Sequence, residues 1–317
     1  MLDQEAKALL EAVAKANRPA FEAIGAVAAR KLYKETRSAV TPPAPDVELA
    51  ANIAAPGPLG PIPLRYYRPA GAEPRAPLPV LVFYHGGGWV VGDLDTHDVV
   101  CRTLANEGQC AVVSVDYRMG PEHKFPAAVN DAFAALKWVQ AEADHLHVDA
   151  ARIAVGGDSA GGNLAAVMAL MARDAGGPDL RLQLLIYPAT DMAMDTASHK
   201  AFAEGHLLTR SSMTWFQMMY LNGPADAADW RASPLKAPSL ADLPPAHVIV
   251  AGNDPLRDEG EAYAKALQAA GGKAVFSEYP GSIHGFITMG KVLPQAGQAL
   301  AESGAALRAA FAALLFH

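Results

Sequence analysis

Short apolar runs alternate with helical patterns along most of this chain, and that alternation restricts its fold more than any single motif. VLVFY (80–84), AVVSVDY (111–117), RIAVGG (152–157), LQLLIYP (182–188) and HVIVAG (247–252) are continuous runs of strand length. IPLRYYRP (62–69) and KAVFSEY (273–279) alternate instead, as half-buried strands do. Between them, apolar residues fall at helical spacing over 96–107, 126–142, 161–174, 257–270 and 294–315, with Gly108 and Gly271–Gly272 as stops. Buried strands alternating with helices imply an α/β fold whose mostly parallel sheet is covered on both faces. Ligands of such sheets bind beyond the carboxyl ends of the strands, so chemistry belongs in the loops after these runs.

Two sections leave the pattern. Residues 2–16 and 19–36 read as helices split by Pro19, and the Pro-rich TPPAPDVE follows them. Residues 190–240 include AFAEGHLLTRSSMTWFQMMYLNGP and are too long for a simple connection. Together these sections suit a lid. Met213, Trp215, Phe216, Met218 and Met219 read either as ordinary core or as the wall of a pocket beneath it.

Bulk properties exclude several classes. A net charge of −7 without a Lys/Arg block argues against nucleic acid, whose binding rests on neutralised phosphates. Cys101 and Cys110, the two cysteines, lack metal-ligand spacing and cannot build a disulfide framework. The N-terminal MLDQEAKALLEAVAKANRP mixes charges among its apolar positions, unlike a signal peptide, and no run approaches a membrane span. The expectation is a cytoplasmic chain with no membrane partner, open to self-association. No H-E-x-x-H is present and HLH (145–147) reads as a helix-end loop, so no metal site is expected.

Two glycine-rich stretches follow strand runs. Gly157-Asp158-Ser159-Ala160-Gly161 fits G-x-S-x-G between a strand run and a helical run. A serine exposed on a sharp strand-to-helix turn needs flanking residues without β-carbons, and Gly157 and Gly161 supply them. The Ala160 N–H and the start of the helix point positive charge at an oxyanion. The chain carries neither G-x-G-x-x-G nor G-x-x-x-x-G-K-[ST], so a nucleotide loop is a poor alternative. His85-Gly86-Gly87-Gly88-Trp89 follows VLVFY. Its glycines free backbone N–H groups that would complete an oxyanion site. His85 reads as a residue that holds the loop rather than as a base.

In chain order, HGGGW, DYRMGPEHKFPAAVNDAFAALKW, GGDSAGGNLA, LIYPATD, GNDPLRDEG and HGF resemble the bacterial hormone-sensitive-lipase-like carboxylesterases, a branch of the α/β-hydrolase superfamily. The resemblance covers nearly all of residues 45–317; Met119-Gly120 departs from the Leu-Ala common there. It implies an α/β-hydrolase core at 46–189 and 226–317, with a helical cap from 1–45 and 190–225. It also implies Gly87 and Gly88 as oxyanion donors beside Ala160, with Gly86 and Asp158 supporting the loop.

Activating a serine takes a base and an acid that orients it, in this fold in the order Ser, acid, His. His284 follows the strand KAVFSEY in PGSIHGF, where the base is expected. His199 and His206 fall in the lid section, His247 begins an apolar strand and His317 ends the chain. Asp191 and Asp254 both follow strands; the resemblance favours Asp254, in GNDPLRDEG. The expectation is a cofactor-free serine esterase acting on a small-molecule ester of short to medium acyl chain. Trp89, Met213, Trp215 and Phe216 are expected to line its pocket. An amidase, peptidase or lactonase would carry the same motifs, and a non-catalytic receptor on this fold would usually lack one of the three residues.

Overall fold

The structure, a computed structural model, describes residues 1–313. The last residues of the expected helix over 294–315, and His317, lie outside them. Eight strands form one sheet in the order β1-β2-β4-β3-β5-β6-β7-β8: β1 (Leu49–Gly57), β2 (Gly60–Arg68), β3 (Leu78–Tyr84), β4 (Ala111–Val115), β5 (Val148–Asp158), β6 (Leu180–Ile186), β7 (Ala246–Asn253) and β8 (Ala274–Ile283). The β1–β2 hairpin is antiparallel and β2 runs antiparallel to β4; the remaining neighbours are parallel.

The continuous apolar runs are buried on both sides. Val80, Val82 and Tyr84 of β3 pack into one core with Leu136 and Leu164, while Leu81 and Phe83 pack into another with Leu104, Ile186 and Leu307. A strand's side chains point to opposite faces in turn, so a run serving two cores must be apolar throughout. The helices α3 (Asp98–Gly108), α4 (Ala127–Ala141), α6 (Ala160–Ala175), α9 (Arg257–Ala269) and α10 (Gln295–Ala312), with the short α5 (Ala143–Leu146), cover those faces. β1 falls where no strand was expected.

Four helices fall in the sections that break the alternation. α1 (Gln4–Ala16) and α2 (Phe21–Val40) precede β1, and α2 is interrupted at Gly25, where φ is 76°. α7 (Ala197–Ala201) and α8 (Arg210–Tyr220) lie between β6 and β7. Ala29 and Tyr33 of α2 and Trp215 of α8 form a small apolar cluster with Val90 and Val91 of the loop after β3. The N-terminal and inserted helices therefore meet over the glycine loop.

Candidate active site

Ser159 sits between the end of β5 and the start of α6 with φ 55° and ψ −117°, a conformation most side chains avoid. Its N–H donates to the Ile186 carbonyl at 2.9 Å, which anchors the turn to β6. The turn is possible because its neighbours are bare: a β-carbon on Gly161 would collide with the Tyr84 and His85 carbonyls. The fold thereby aims the hydroxyl out of the sheet's carboxyl edge.

His284, just past β8, and Asp254, just past β7, meet that hydroxyl. His284 Nε2 lies 2.9 Å from Ser159 Oγ, and Nδ1 lies 2.7 Å from Asp254 Oδ2. Asp254 is fully buried and its Oδ1 accepts the Leu256 N–H at 2.8 Å. A carboxylate at Nδ1 fixes the imidazole proton there and leaves the Nε2 lone pair facing the serine hydroxyl. Asp191, the other acid considered, pairs instead with Lys236 at 2.7 Å.

The glycine loop crosses this site. Gly87 and Gly88 have φ of 124° and 59°, and their N–H groups donate to no atom among the described residues. Ala160 is the first residue of α6, so its N–H precedes the first intrahelical bond. His85 supports the loop from below: its ring stacks on Tyr117 at 4.5 Å, and the Tyr117 hydroxyl donates to the His85 carbonyl at 2.6 Å. Burial, helped by the neighbouring His97, lowers the His85 imidazole to about 4, so it is neutral at pH 7 and unsuited to act as base. Asp158 turns away from the hydroxyl and accepts the Gly86 N–H on Oδ1 at 2.8 Å. Trp89 is buried and stacks on Tyr220 at 4.4 Å.

Ser159 and His284 open into a cavity of about 400 Å³ between the sheet edge and the helices above it. Trp89, Met213 and Phe216 line it, and Trp215 does not. It turns into the cluster with Tyr33 and Val91, its ring centroid 6.3 Å from that of Phe21. Ser212, Met213, Phe216 and Gln217 form the α8 face toward the cavity, and Trp215 lies about 100° round the helix from Phe216.

A buried acid in the cavity wall escaped the sequence reading. Glu259 Oε1 accepts the Thr190 N–H at 2.6 Å, and its Oε2 lies 3.3 Å from Nε2 of buried His199. Neither of those two atoms has another partner, and one proton shared between them satisfies both. Burial pushes the Glu259 carboxyl well above the usual range, against the pull of the Thr190 and Asp191 N–H groups. It also lowers the His199 imidazole. Both directions favour a neutral pair.

The family model for the alpha/beta hydrolase fold matches residues 81–288. Carboxylic ester hydrolase LipN of Mycobacterium tuberculosis is 51% identical over 255 residues, 78% of this chain and 67% of that one. An ethyl acetate hydrolase of Pseudomonas putida is 39% identical over 242 residues, 75% of this chain and 76% of that one. Among solved structures, an alpha/beta hydrolase enzyme from the metagenome of Lake Arreo superimposes with a TM-score of 0.95 at 44% identity, covering 99% of each chain. An esterase of Pyrobaculum calidifontis gives a TM-score of 0.90 at 42% identity, covering 98% of this chain and 99% of that one. With the strand order and the close structural matches, these similarities show that the chain belongs to the hormone-sensitive-lipase-like carboxylesterases of the α/β-hydrolase superfamily.

Proposed function

We propose that this serine carboxylesterase works through Ser159, His284 and Asp254 and cleaves esters of short to medium acyl chain. The observation that carries the reading is the continuous chain of bonds from Asp254 Oδ2 through His284 to Ser159 Oγ, at 2.7 and 2.9 Å. His284 takes the hydroxyl proton as Oγ attacks the ester carbonyl. The N–H groups of Gly87, Gly88 and Ala160 receive the oxyanion, and the imidazolium, steadied by Asp254, protonates the departing alcohol. Water then repeats the sequence on the acyl-enzyme, restoring Ser159 and releasing the acid.

The acyl-length reading is supported by the limited volume of the cavity, about 400 Å³. No helix among the described residues is long and apolar enough to cross a membrane. A cytoplasmic setting is supported by Cys101 and Cys110, both buried as free thiols.

Ser159→Ala tests the nucleophile. Removing it is expected to lower kcat by roughly 10⁶ with the fold intact, because the change deletes one oxygen and leaves the β-carbon and the backbone turn as they are. A profile of p-nitrophenyl esters from acetate upward tests the acyl limit and should fall steeply beyond medium chains. Ser159→Ala activity above a few per cent of the parent, in an enzyme of unchanged thermal midpoint, would rule out the assignment.

A further inference from the structure

Arg37, beside Tyr33, is a cation with no carboxylate partner among the described residues in the wall of the active-site cavity. It projects from the C-terminal half of α2, and its guanidinium carbon lies 4.8 Å from the centroid of the Tyr33 ring. It also lies against the residue after His284: a β-carbon built on Gly285 would come within 3.2 Å of Arg37 Nη2. Nε is buried and meets no acceptor.

The carboxylates that line the same cavity are engaged elsewhere. Asp191 pairs with Lys236 at 2.7 Å. Asp158 holds the Gly86 N–H and lies 3.1 Å from His97 Nε2. Glu22 accepts the Ser211 hydroxyl, and Glu259 accepts the Thr190 N–H and faces His199 Nε2 at 3.3 Å. Arg18, the other arginine at the cavity, is exposed at its rim. Among the described residues, Arg37 is thus left without a counter-charge in an otherwise mainly apolar wall.

A guanidinium part-way out of water with no anion is unfavourable, and its planar fork of donors matches a carboxylate. Its place in the cavity selects which part of an ester would meet it. The general acid must touch the leaving oxygen, so the wall beside His284 and Gly285 faces the alcohol portion. We propose that the cavity takes esters whose alcohol portion carries a carboxylate, with Arg37 receiving that carboxylate. This rests on the reading of Ser159 and His284 as nucleophile and base.

The test compares 3-acetoxybenzoate, its neutral methyl ester, and p-nitrophenyl hydrogen glutarate, which carries the charge on the acyl side. The expected result is a preference of the parent enzyme for 3-acetoxybenzoate over its methyl ester in kcat/KM. Arg37→Met should lower that anionic-to-neutral ratio at least tenfold, mainly through KM, and Arg37→Lys should restore part of it. In the parent enzyme the same ratio should fall as salt is raised, a measurement that needs no variant. A ratio unmoved within twofold by Arg37→Met, or insensitive to salt in the parent enzyme, overturns the proposal. A loss confined to the glutarate overturns the placement on the alcohol side. The methyl ester with Ser159→Ala reports separately on the nucleophile: its continued hydrolysis would sink the underlying reading instead.

Discussion

Asp158 accepts the Gly86 N–H on Oδ1 at 2.8 Å, so the residue before Ser159 holds a glycine of the loop 72 positions upstream. One carboxylate thereby couples the two glycine-rich stretches of the sequence. His97 Nε2 lies 3.1 Å from the same oxygen, and the Tyr187 hydroxyl reaches the other at 3.4 Å. Burial pushes the Asp158 carboxyl up, but His97 and the Gly86 N–H outweigh it and hold it below its ordinary value, ionised at neutral pH.

Removing that carboxylate should loosen the oxyanion loop without touching the nucleophile. Asp158→Ala leaves the buried Gly86 N–H without an acceptor and His97 without its facing carboxylate, a loss of about 1–3 kcal/mol in stability. We expect kcat for p-nitrophenyl acetate to fall by roughly 10- to 100-fold, less than the roughly 10²–10³ that outright loss of an oxyanion donor costs. Asp158→Asn keeps an acceptor for Gly86 and should lose less on both counts. Thermal unfolding beside steady-state kinetics checks this, and an Ala variant as active as Asn would contradict it.

A second prediction concerns the turn that carries Asp254. Ser198, in α7, donates its hydroxyl to the Pro255 carbonyl at 2.6 Å and its N–H to Asp258 Oδ2 at 2.8 Å. The Asp258 N–H returns a bond to Ser198 Oγ at 3.2 Å. The inserted section thus fastens the residue next to Asp254. Ser198→Ala removes both hydroxyl bonds, so Asp254 should hold the imidazole less firmly, with kcat down about tenfold and KM little changed. Stability should fall by about 1–3 kcal/mol. A change in KM alone would show that α7 shapes the cavity and leaves the acid turn alone.

What the sequence made legible were features whose meaning is local or ordered along the chain. Ser159, Asp254 and His284 each follow a strand, in the order the fold demands, and the structure brings the three together. β1 carries no strand signal because LAANIAAPG has four alanines among its nine residues and only Ala55 is buried; its nine-residue pairing with β2 supplies the order its composition does not. Gly156 had no assignable role from sequence. A β-carbon there would press on Leu81 and Leu184, at 3.0 and 3.1 Å, residues of the flanking strands β3 and β5's other neighbour β6. Trp215 was misplaced because its composition suits a pocket equally well; the helical period of Met213, Phe216 and Gln217 held the signal that it faces elsewhere. Glu259 and Arg37 gave no signal, since their environments come from elements far apart in the chain.

The last prediction is a pH dependence set by Glu259. Its pKa is raised by burial in the folded state, above an unfolded value of about 4.3. The folded protein therefore binds more protons than the unfolded chain across the window above pH 4.3. The sign follows: this group's contribution to stability is full below that value and is lost as pH rises through the folded pKa. Glu259→Gln keeps an oxygen for the Thr190 N–H, can present an amide N–H to His199, and does not titrate. The stability of the parent relative to Glu259→Gln should thus decline steadily as pH is raised from about 5 toward 9. His199, whose imidazole burial lowers, contributes in the opposite sense, but it is present in both proteins and largely cancels in the difference. Urea unfolding of the two proteins at a series of pH values checks this. Curves that stay parallel across the range would mean that Glu259 is already ionised and paired with a protonated His199 in the folded enzyme.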